Sequence, residues 1–517
     1  MDRAFRQSMS WLHTWAGVVF GSLLFAIFWM GTLAVFDREI DRWMAPMTRL
    51  ALQETQRPWS ALRTSLQAAA EAKSASWLMT FPVERRPVIE VIYRSGNDLI
   101  SRHFDPGSGA SWDPGTLAGS QFIYPFHVHL HLKFWDLGYW IVGLAAIAML
   151  VLCISGVIIH RKIFTDFFVF RPQRQSRRAT LDLHNVAGVL GLPFHLAITL
   201  SGLVIFYAIY FPSGWQTAYP DRQAFNADAY GTYARPRLNQ GGGPVLFESI
   251  ASEAKRLWGE GSPRSLIVFH PGDVASYVAI LRPYEGDVGA YSEIAYFDAS
   301  TGALLHHQRN VLPVMTAQRF IVGFHMVQFR HWTLRWVYFA LGLLGCVLIG
   351  TGYLFWLESR RKRHAQLGLS GVAIVEALTV ASTTGIIAAT FVFFIANRLL
   401  PSGATVLGQE RAALEVWSFY LVWVTTFAHA WLRSRGAWIE QCWAIAGFAI
   451  AAVLLNWTTT GDHLFRSIMH RHLWAVAGMD IVLLLGGVLA VFAALRITRA
   501  SARTSTESSQ TNASGRA

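Results

Sequence analysis

Leu12-His13-Thr14-Trp15-Ala16-Gly17-Val18 and Leu183-His184-Asn185-Val186-Ala187-Gly188-Val189 each set a histidine, then Ala-Gly-Val, at the mouth of a long apolar stretch. A second glycine follows each histidine at the same distance of 18 residues (31 − 13 and 202 − 184), as Gly31 and Gly202. An imidazole is costly in a bilayer unless it is paired or liganded, so one imidazole-glycine register used twice marks a built site inside an internal repeat.

The chain around these stretches is 517 residues long, 53% hydrophobic and 14% aromatic. Apolar runs of spanning length lie at about 14–36, 138–159, 185–210, 333–357, 372–396, 416–432, 437–457 and 473–495, which predicts about eight transmembrane helices. The first run is long for a secretory signal and lacks a small-x-small cleavage site near Ala34-Val35-Phe36-Asp37, so it reads as a retained anchor. The 44 Lys+Arg against 32 Asp+Glu give +12. Much of that excess sits in alternate short loops: Arg161, Lys162, Arg171, Arg174, Arg177 and Arg178, then Arg360-Arg361-Lys362-Arg363, then Arg433 and Arg435. The positive-inside rule places these loops and both termini in the cytoplasm. The charge is thus topological, and nucleic acid is excluded as a partner in favour of the lipid bilayer. Cys153, Cys346 and Cys442 are isolated within spans and form no c-type haem, zinc or disulfide pattern.

Two long external segments follow, at 37–137 and 211–332. Each opens with a helix-like stretch, Trp59 to Lys73 and Leu246 to Leu257, and continues in strand-like runs such as Val88 to Tyr93 and Ser276 to Leu281. Phe104-Asp105-Pro106-Gly107-Ser108-Gly109-Ala110 parallels Phe297-Asp298-Ala299-Ser300-Thr301-Gly302-Ala303, where an Asp and a later Gly make a strand-to-strand turn. The predicted fold is an all-α membrane bundle carrying two small α+β external domains, duplicated in tandem over the first ~360 residues. The segments are helix one (1–36), the first external domain (37–137), helices two and three with their basic loop (138–210), the second external domain (211–332) and helix four (333–357). A four-helix module of obscure role (372–496) and a disordered polar tail (497–517) complete the chain.

Histidines fall into layers along this topology. His13, His184 and His160 lie near the inner face. His127 and His131, four residues apart on one helical face, lie with His325 near the outer face, and Phe126-His127 echoes Phe324-His325. His195 stands 11 residues (195 − 184) beyond His184, roughly 16 Å deeper on the same helix, after a Pro193 expected to kink it. Any one of these histidines alone is more often a packing residue. Two layers of neutral imidazoles with glycines beside them suit bis-histidine haem b, one group per layer. Zinc would lack thiolate or carboxylate partners here. A proton relay also uses histidines at several depths, though it needs no glycine register. Trp11, Trp15, Trp29, Trp43, Trp135, Trp140, Trp332 and Trp336 read as interfacial anchors, and Gly241-Gly242-Gly243 as a loop.

Several of these stretches carry a family resemblance: Leu12-His13-Thr14-Trp15-Ala16-Gly17, Phe126-His127-Val128-His129-Leu130-His131, Ser155-Gly156-Val157-Ile158-Ile159-His160, Asp182-Leu183-His184-Asn185, Leu192-Pro193-Phe194-His195 and Phe324-His325. Together they resemble the bacterial iron-regulated inner-membrane proteins with PepSY domains and PepSY-associated transmembrane helices, a group that includes siderophore-iron reductases. The resemblance implies PepSY-like periplasmic domains, haem b in the bundle and reduction of ferric iron held by a siderophore at the periplasmic face. His129 and His331 depart from the expected pattern and stay outside the ligand set. No nicotinamide or flavin fingerprint is visible, so the donor would be a membrane quinol or a separate cytoplasmic protein. Two readings of other classes stand beside this one: a PepSY-type binding or regulatory protein, and a siderophore or iron permease using Glu376 and Asp480.

Overall fold

The computed structural model describes residues 3–52, 58–160, 176–259, 263–282, 288–290, 293–308 and 312–514. Helices α1 (Arg3–Ala34), α2 (Asp37–Met44) and α3 (Trp59–Glu71) lead into strands β1 (Ser76–Thr80), β2 (Ile89–Ser95), β3 (Asp98–Phe104) and β4 (Ser111–Trp112). A π-helical turn, Ala118–Ile123, leads to α4 (Tyr124–His129), α5 (Leu137–Ile159) and α6 (Ser176–Ile205). The short helices α7 (Tyr207–Tyr210), α8 (Ser213–Gln216) and α9 (Arg222–Tyr230) precede α10 (Phe247–Trp258), β5 (Ser265–Phe269), β6 (Tyr277–Leu281), β7 (Ile294–Asp298) and β8 (Leu304–Gln308). The chain continues with α11 (Pro313–Met326), α12 (Trp332–Gln366), α13 (Gly371–Val380) and, after a second π-helical turn at Ala381–Gly385, α14 (Ile386–Leu399). A hairpin of β9 (Thr405–Val406) and β10 (Gln409–Glu410) leads to α15 (Arg411–Arg433), α16 (Arg435–Thr460), α17 (Leu464–Met469) and α18 (Trp474–Ser514).

The chain divides into a helical unit (Met1–Pro46, Gly115–Thr199, Trp336–Ala517) and a sheet unit (Met47–Pro114, Leu200–Arg335). In the helical unit α1 packs along α5, and small residues let side chains of α12 approach α1 closely. A Cβ on Gly21 would lie 2.6 Å from the Tyr353 ring. The Tyr353 hydroxyl donates to the Val18 carbonyl at 3.0 Å. Small residues at helix contacts are the usual device where lipid supplies no hydrophobic drive between helices.

Seven helical segments are long and apolar enough to cross a membrane, among the described residues: Arg3–Ala34, Phe134–Ile159, Arg177–Ile205, Trp332–Gln366, Gly371–Leu399, Gly436–Thr460 and Arg471–Ala500. The sequence reading counts eight. The difference is 416–432, which folds as α15 but carries Arg411, Glu415, His429 and Arg433 and falls short in hydropathy. At 23 residues it is about 34 Å long, enough to cross by length alone. The tail expected to be disordered from 497 instead continues α18 to Ser514, where no Gly or Pro interrupts the backbone before Gly515. Arg161, Lys162, Arg171 and Arg174 of the basic loop lie outside the described residues. Helix α6 runs through Pro193 as one element.

The sheet unit corrects the expectation of two separate small domains, because strands from both external segments form one antiparallel sheet in the order β4-β3-β2-β1-β5-β6-β7-β8. The central pair is β1 with β5, in register Trp77↔Val268 and Leu78↔Ile267. A single apolar core, including Leu62 and Leu66 of α3, Phe247 and Ile250 of α10, and Trp77, Val91, Phe104, Val268, Val278 and Phe297, covers one face. The expected helices and strands are otherwise found within one or two residues of their predicted ends, and both Asp-Gly turns form. Asp105 Oδ1 accepts from the N–H groups of Gly107 and Ser108, and Asp298 Oδ1 from those of Ser300 and Thr301. Gly109 and Gly302 take φ of +72° and +74°, a conformation that excludes most side chains.

Candidate functional site

Helix α1 carries His13 and α6 carries His184, and in the helical unit the two rings face each other with centres 6.3 Å apart and planes at 84°. Each is fastened through Nδ1. His13 Nδ1 lies 3.0 Å from Ser155 Oγ, and that hydroxyl already donates to the Val151 carbonyl at 2.6 Å. Ser155 can then only accept from His13, so Nδ1 carries the proton and Nε2 the lone pair. His184 Nδ1 donates to the Leu348 carbonyl at 3.0 Å, with Thr351 Oγ1 at 3.4 Å, which fixes the same tautomer. Among the described residues no hydrogen-bond partner meets Nε2 of either ring.

Glycine makes room for both rings. A Cβ on Gly156 would stand 3.3 Å from His13, and one on Gly352 would stand 3.2 Å from His184. The partners are therefore two hydroxyl-glycine pairs, Ser155-Gly156 on α5 and Thr351-Gly352 on α12. The sequence reading did not assign them a role. Their signal was a hydroxyl residue before glycine in the middle of an apolar span, facing a histidine on another helix.

The 18-residue register is explained by the opposite ends of the same helices. In the helical unit, His127 of α4 bonds through Nδ1 to the Ile27 carbonyl at 2.9 Å, and its ring fills the space over Gly31, where a Cβ would lie 2.6 Å away. In the sheet unit, His325 of α11 meets Ser201 Oγ through Nδ1 at 3.0 Å and lies over Gly202, with a Cβ distance of 3.0 Å. Ser201-Gly202 is a third hydroxyl-glycine pair.

Three expected site residues are arranged differently. His131 is not stacked over His127, because α4 ends at His129 and Leu130 and His131 adopt φ of +54° and +58°. The His131 ring lies instead 6.1 Å from His129 and 4.9 Å from Phe122. His160 caps α5 through its backbone N–H and makes no ring contact or side-chain hydrogen bond with His13 or His184 among the described residues. His195 is fully buried, but its polarity is reversed. Nε2 donates to the Leu341 carbonyl at 3.1 Å, Nδ1 has no partner, and Phe28 and Phe194 pack beside the ring. Among the described residues no second histidine ring contacts it.

The inner arrangement was tested against the implied haem. Two imidazoles that each give one nitrogen to a shared metal at about 2.0–2.1 Å would have ring centres roughly 6 Å apart. The 6.3 Å between His13 and His184 is of that size, and Nδ1 of each is held by an oxygen, as in metal-ligating histidines. Among the described residues no group of three or more His, Cys, Asp or Glu could hold a bare metal ion. A pair suits a metal whose equatorial positions a macrocycle fills.

The carboxylates proposed for a permease path are committed elsewhere. Glu376 pairs with Arg361 at 2.9 Å, and Asp480 accepts from Trp43 Nε1 at 2.8 Å. Trp43 is thus a buried bonding residue, and Trp29 donates to Thr390. Trp11, Trp15, Trp135, Trp140, Trp332 and Trp336 are exposed, as anchors would be.

Among known proteins, the chain is 27% identical over 382 residues to the uncharacterised protein PA4219 of Pseudomonas aeruginosa, covering 70% of this chain and 91% of that one. The profile of the PepSY-associated TM region matches residues 10–359, a span that holds every histidine of the site and stops short of α13. The chain is a multi-pass membrane protein and belongs to the PepSY-associated transmembrane family.

Proposed function

We propose that this protein is a haem-b reductase of the bacterial inner membrane that delivers electrons outward to ferric iron held by a siderophore or a similar chelator. The observation that carries the proposal is the facing pair His13 and His184, with ring centres 6.3 Å apart, both Nδ1 atoms bonded and, among the described residues, no hydrogen-bond partner at either Nε2. These two side chains would hold one haem. His127 in the helical unit and His325 in the sheet unit, each lodged over a glycine and bonded through Nδ1, are each a further candidate ligand. Bound haem supplies one-electron chemistry that the side chains lack. The protein's own part is to fix each imidazole's tautomer and direction and to keep water from the rings.

The remaining features fit the same reading. The basic loops put both termini in the cytoplasm, which turns the sheet unit to the periplasm, and its two mirrored halves are the PepSY-like products of a tandem duplication. One electron converts ferric to ferrous iron, for which a hard-oxygen chelator has far lower affinity, and the ferrous ion is released. The donor is a membrane quinol or a cytoplasmic protein.

The test is the dithionite-reduced absorption spectrum and the haem-to-protein ratio of the purified protein. Two haems per chain and a b-type band are expected. A wild-type protein that binds no haem during expression or on titration ends the reductase reading and leaves a binding or regulatory role.

A further inference from the structure

Helices α13 to α18 lie beyond the family match, yet their buried polar groups converge on the segment that delivers His127. Thr116, at the start of that segment, donates to Glu415 Oε2 at 2.5 Å, and the fully buried Glu415 also accepts from Asn397 Nδ2 at 2.9 Å and pairs with Arg411. Beside it, Trp43 of α2 donates to Asp480, while Arg398 bonds the Trp43 carbonyl and stacks over its ring at 4.6 Å. Between these anchors, rings of α14 and α15 enclose the segment. Phe122 lies 4.7 Å from Phe393 and 5.2 Å from Phe419, and Phe126 lies 6.0 Å from Trp423.

What is held needs holding. Ala118 adopts φ of +42°, a left-handed conformation costly for a residue with a Cβ and one that persists only where the surroundings impose it. The next residue, Gly119, lies so close to α2 that a Cβ would stand 2.4 Å from the Asp37 carbonyl oxygen, and Ser120 N–H donates to Asp41. From this turn α4 starts, and one turn later His127 reaches Ile27 and Gly31. We propose that the C-terminal helices are a positioning scaffold whose Glu415 and Asp480 lock the 116–129 segment and thereby set the direction of His127. These carboxylates are fasteners and not steps of an ion path. The locking needs no cofactor, whereas the statement that it aims a haem ligand rests on the function proposed above.

Backbone hydrogen exchange on the full chain in lipid nanodiscs tests the lock directly. Glu415→Leu and Thr116→Val each remove the bond between scaffold and segment, and exchange across 116–129 is expected to rise about tenfold, the change one charge-assisted hydrogen bond supplies. Exchange across 181–188 around His184 should stay unchanged, and Glu415→Gln, which still offers an oxygen, should restore protection. If Glu415→Leu does not fold, Thr116→Val alone decides. Unchanged exchange in 116–129, or an equal rise in both regions, overturns the scaffold. The haem spectrum of the same variants separates the two ideas. Faster exchange with a shift in part of the spectrum supports both, and faster exchange with no spectral change keeps the scaffold and removes His127 from the ligand set.

Discussion

The half of the chain built on α1 and α5 and the half built on α6 and α12 use one device with different fittings. His13 rests on the Ser155 hydroxyl at 3.0 Å, with the Leu152 carbonyl beside it, whereas His184 rests on a backbone carbonyl with a threonine hydroxyl behind it. His127 uses a carbonyl of α1, and His325 uses the hydroxyl of Ser201. The glycine is constant because room for a ring has no substitute, while any oxygen can hold Nδ1–H. His195, which faces Phe28, has only the buried Leu24 at the matching place in α1.

The comparison breaks most severely if an inner imidazole is removed. His184→Ala should abolish binding at the inner pair and lower the haem ratio by about half, and His13→Ala should do the same. Retention of full haem in both would remove the pair from the site. Next in size is the hydroxyl. Ser155→Ala removes the hydroxyl 3.0 Å from His13 Nδ1 and leaves the Leu152 carbonyl, and should cost about 10-fold in haem affinity, the low end of losing a ligand-orienting contact. Thr351→Ala leaves the Leu348 carbonyl in place and should cost a few-fold at most. Haem titration of apoprotein ranks the two, and equal losses would show that the fittings are interchangeable.

The glycines give a smaller, graded effect. Gly31→Ala drives a methyl to 2.6 Å from a ring held by Ile27 and should destabilise by about 1–3 kcal/mol. Gly156→Ala, at 3.3 Å, needs only a slight give. Thermal unfolding of the two variants should separate them in that order.

The smallest effect concerns the paired turns. Asp298 is bonded to Arg235 and to the Ser300 and Thr301 hydroxyls, while Asp105 has backbone N–H partners at Gly107 and Ser108. Partial burial works to raise the Asp298 pKa, but Arg235 and the Ser300 and Thr301 donors outweigh it and hold the carboxyl below the usual range. A carboxyl depressed in the folded state stabilises fully above its unfolded pKa of about 3.9 and loses that contribution as pH falls through the folded value. Asp298→Asn should therefore cost about 1 kcal/mol near neutral pH and flatten the acid limb of the stability curve below about pH 4. An unchanged acid limb would show that Arg235 gains nothing from the charge.

Local chemistry made much of this legible in the chain. Hydrophobic runs located the helices long and apolar enough to cross a membrane, and the Asp-Gly turns and strand alternation located the sheet's edges, because each depends on residues close in sequence. The repeated histidines with their 18-residue glycines were visible too, although not what the glycines were for. Hydropathy is weakest at α15, where a helix long enough to cross carries Glu415 and His429 among its apolar residues. The stacking of His127 on His131 failed because nothing in Leu130-His131 announces a left-handed turn.

The sequence by itself determined that this is a multi-pass membrane chain with one histidine-glycine register used twice, since span length, turn chemistry and motif spacing are properties of neighbouring residues. Only the tertiary structure decided that two external segments share one sheet, that His13 faces His184, and that Glu415 and Asp480 bind the chain's N-terminal third. Those outcomes depend on which distant backbones approach closely enough to give a ring or a buried carboxylate its partners, and separation along the chain does not encode that approach.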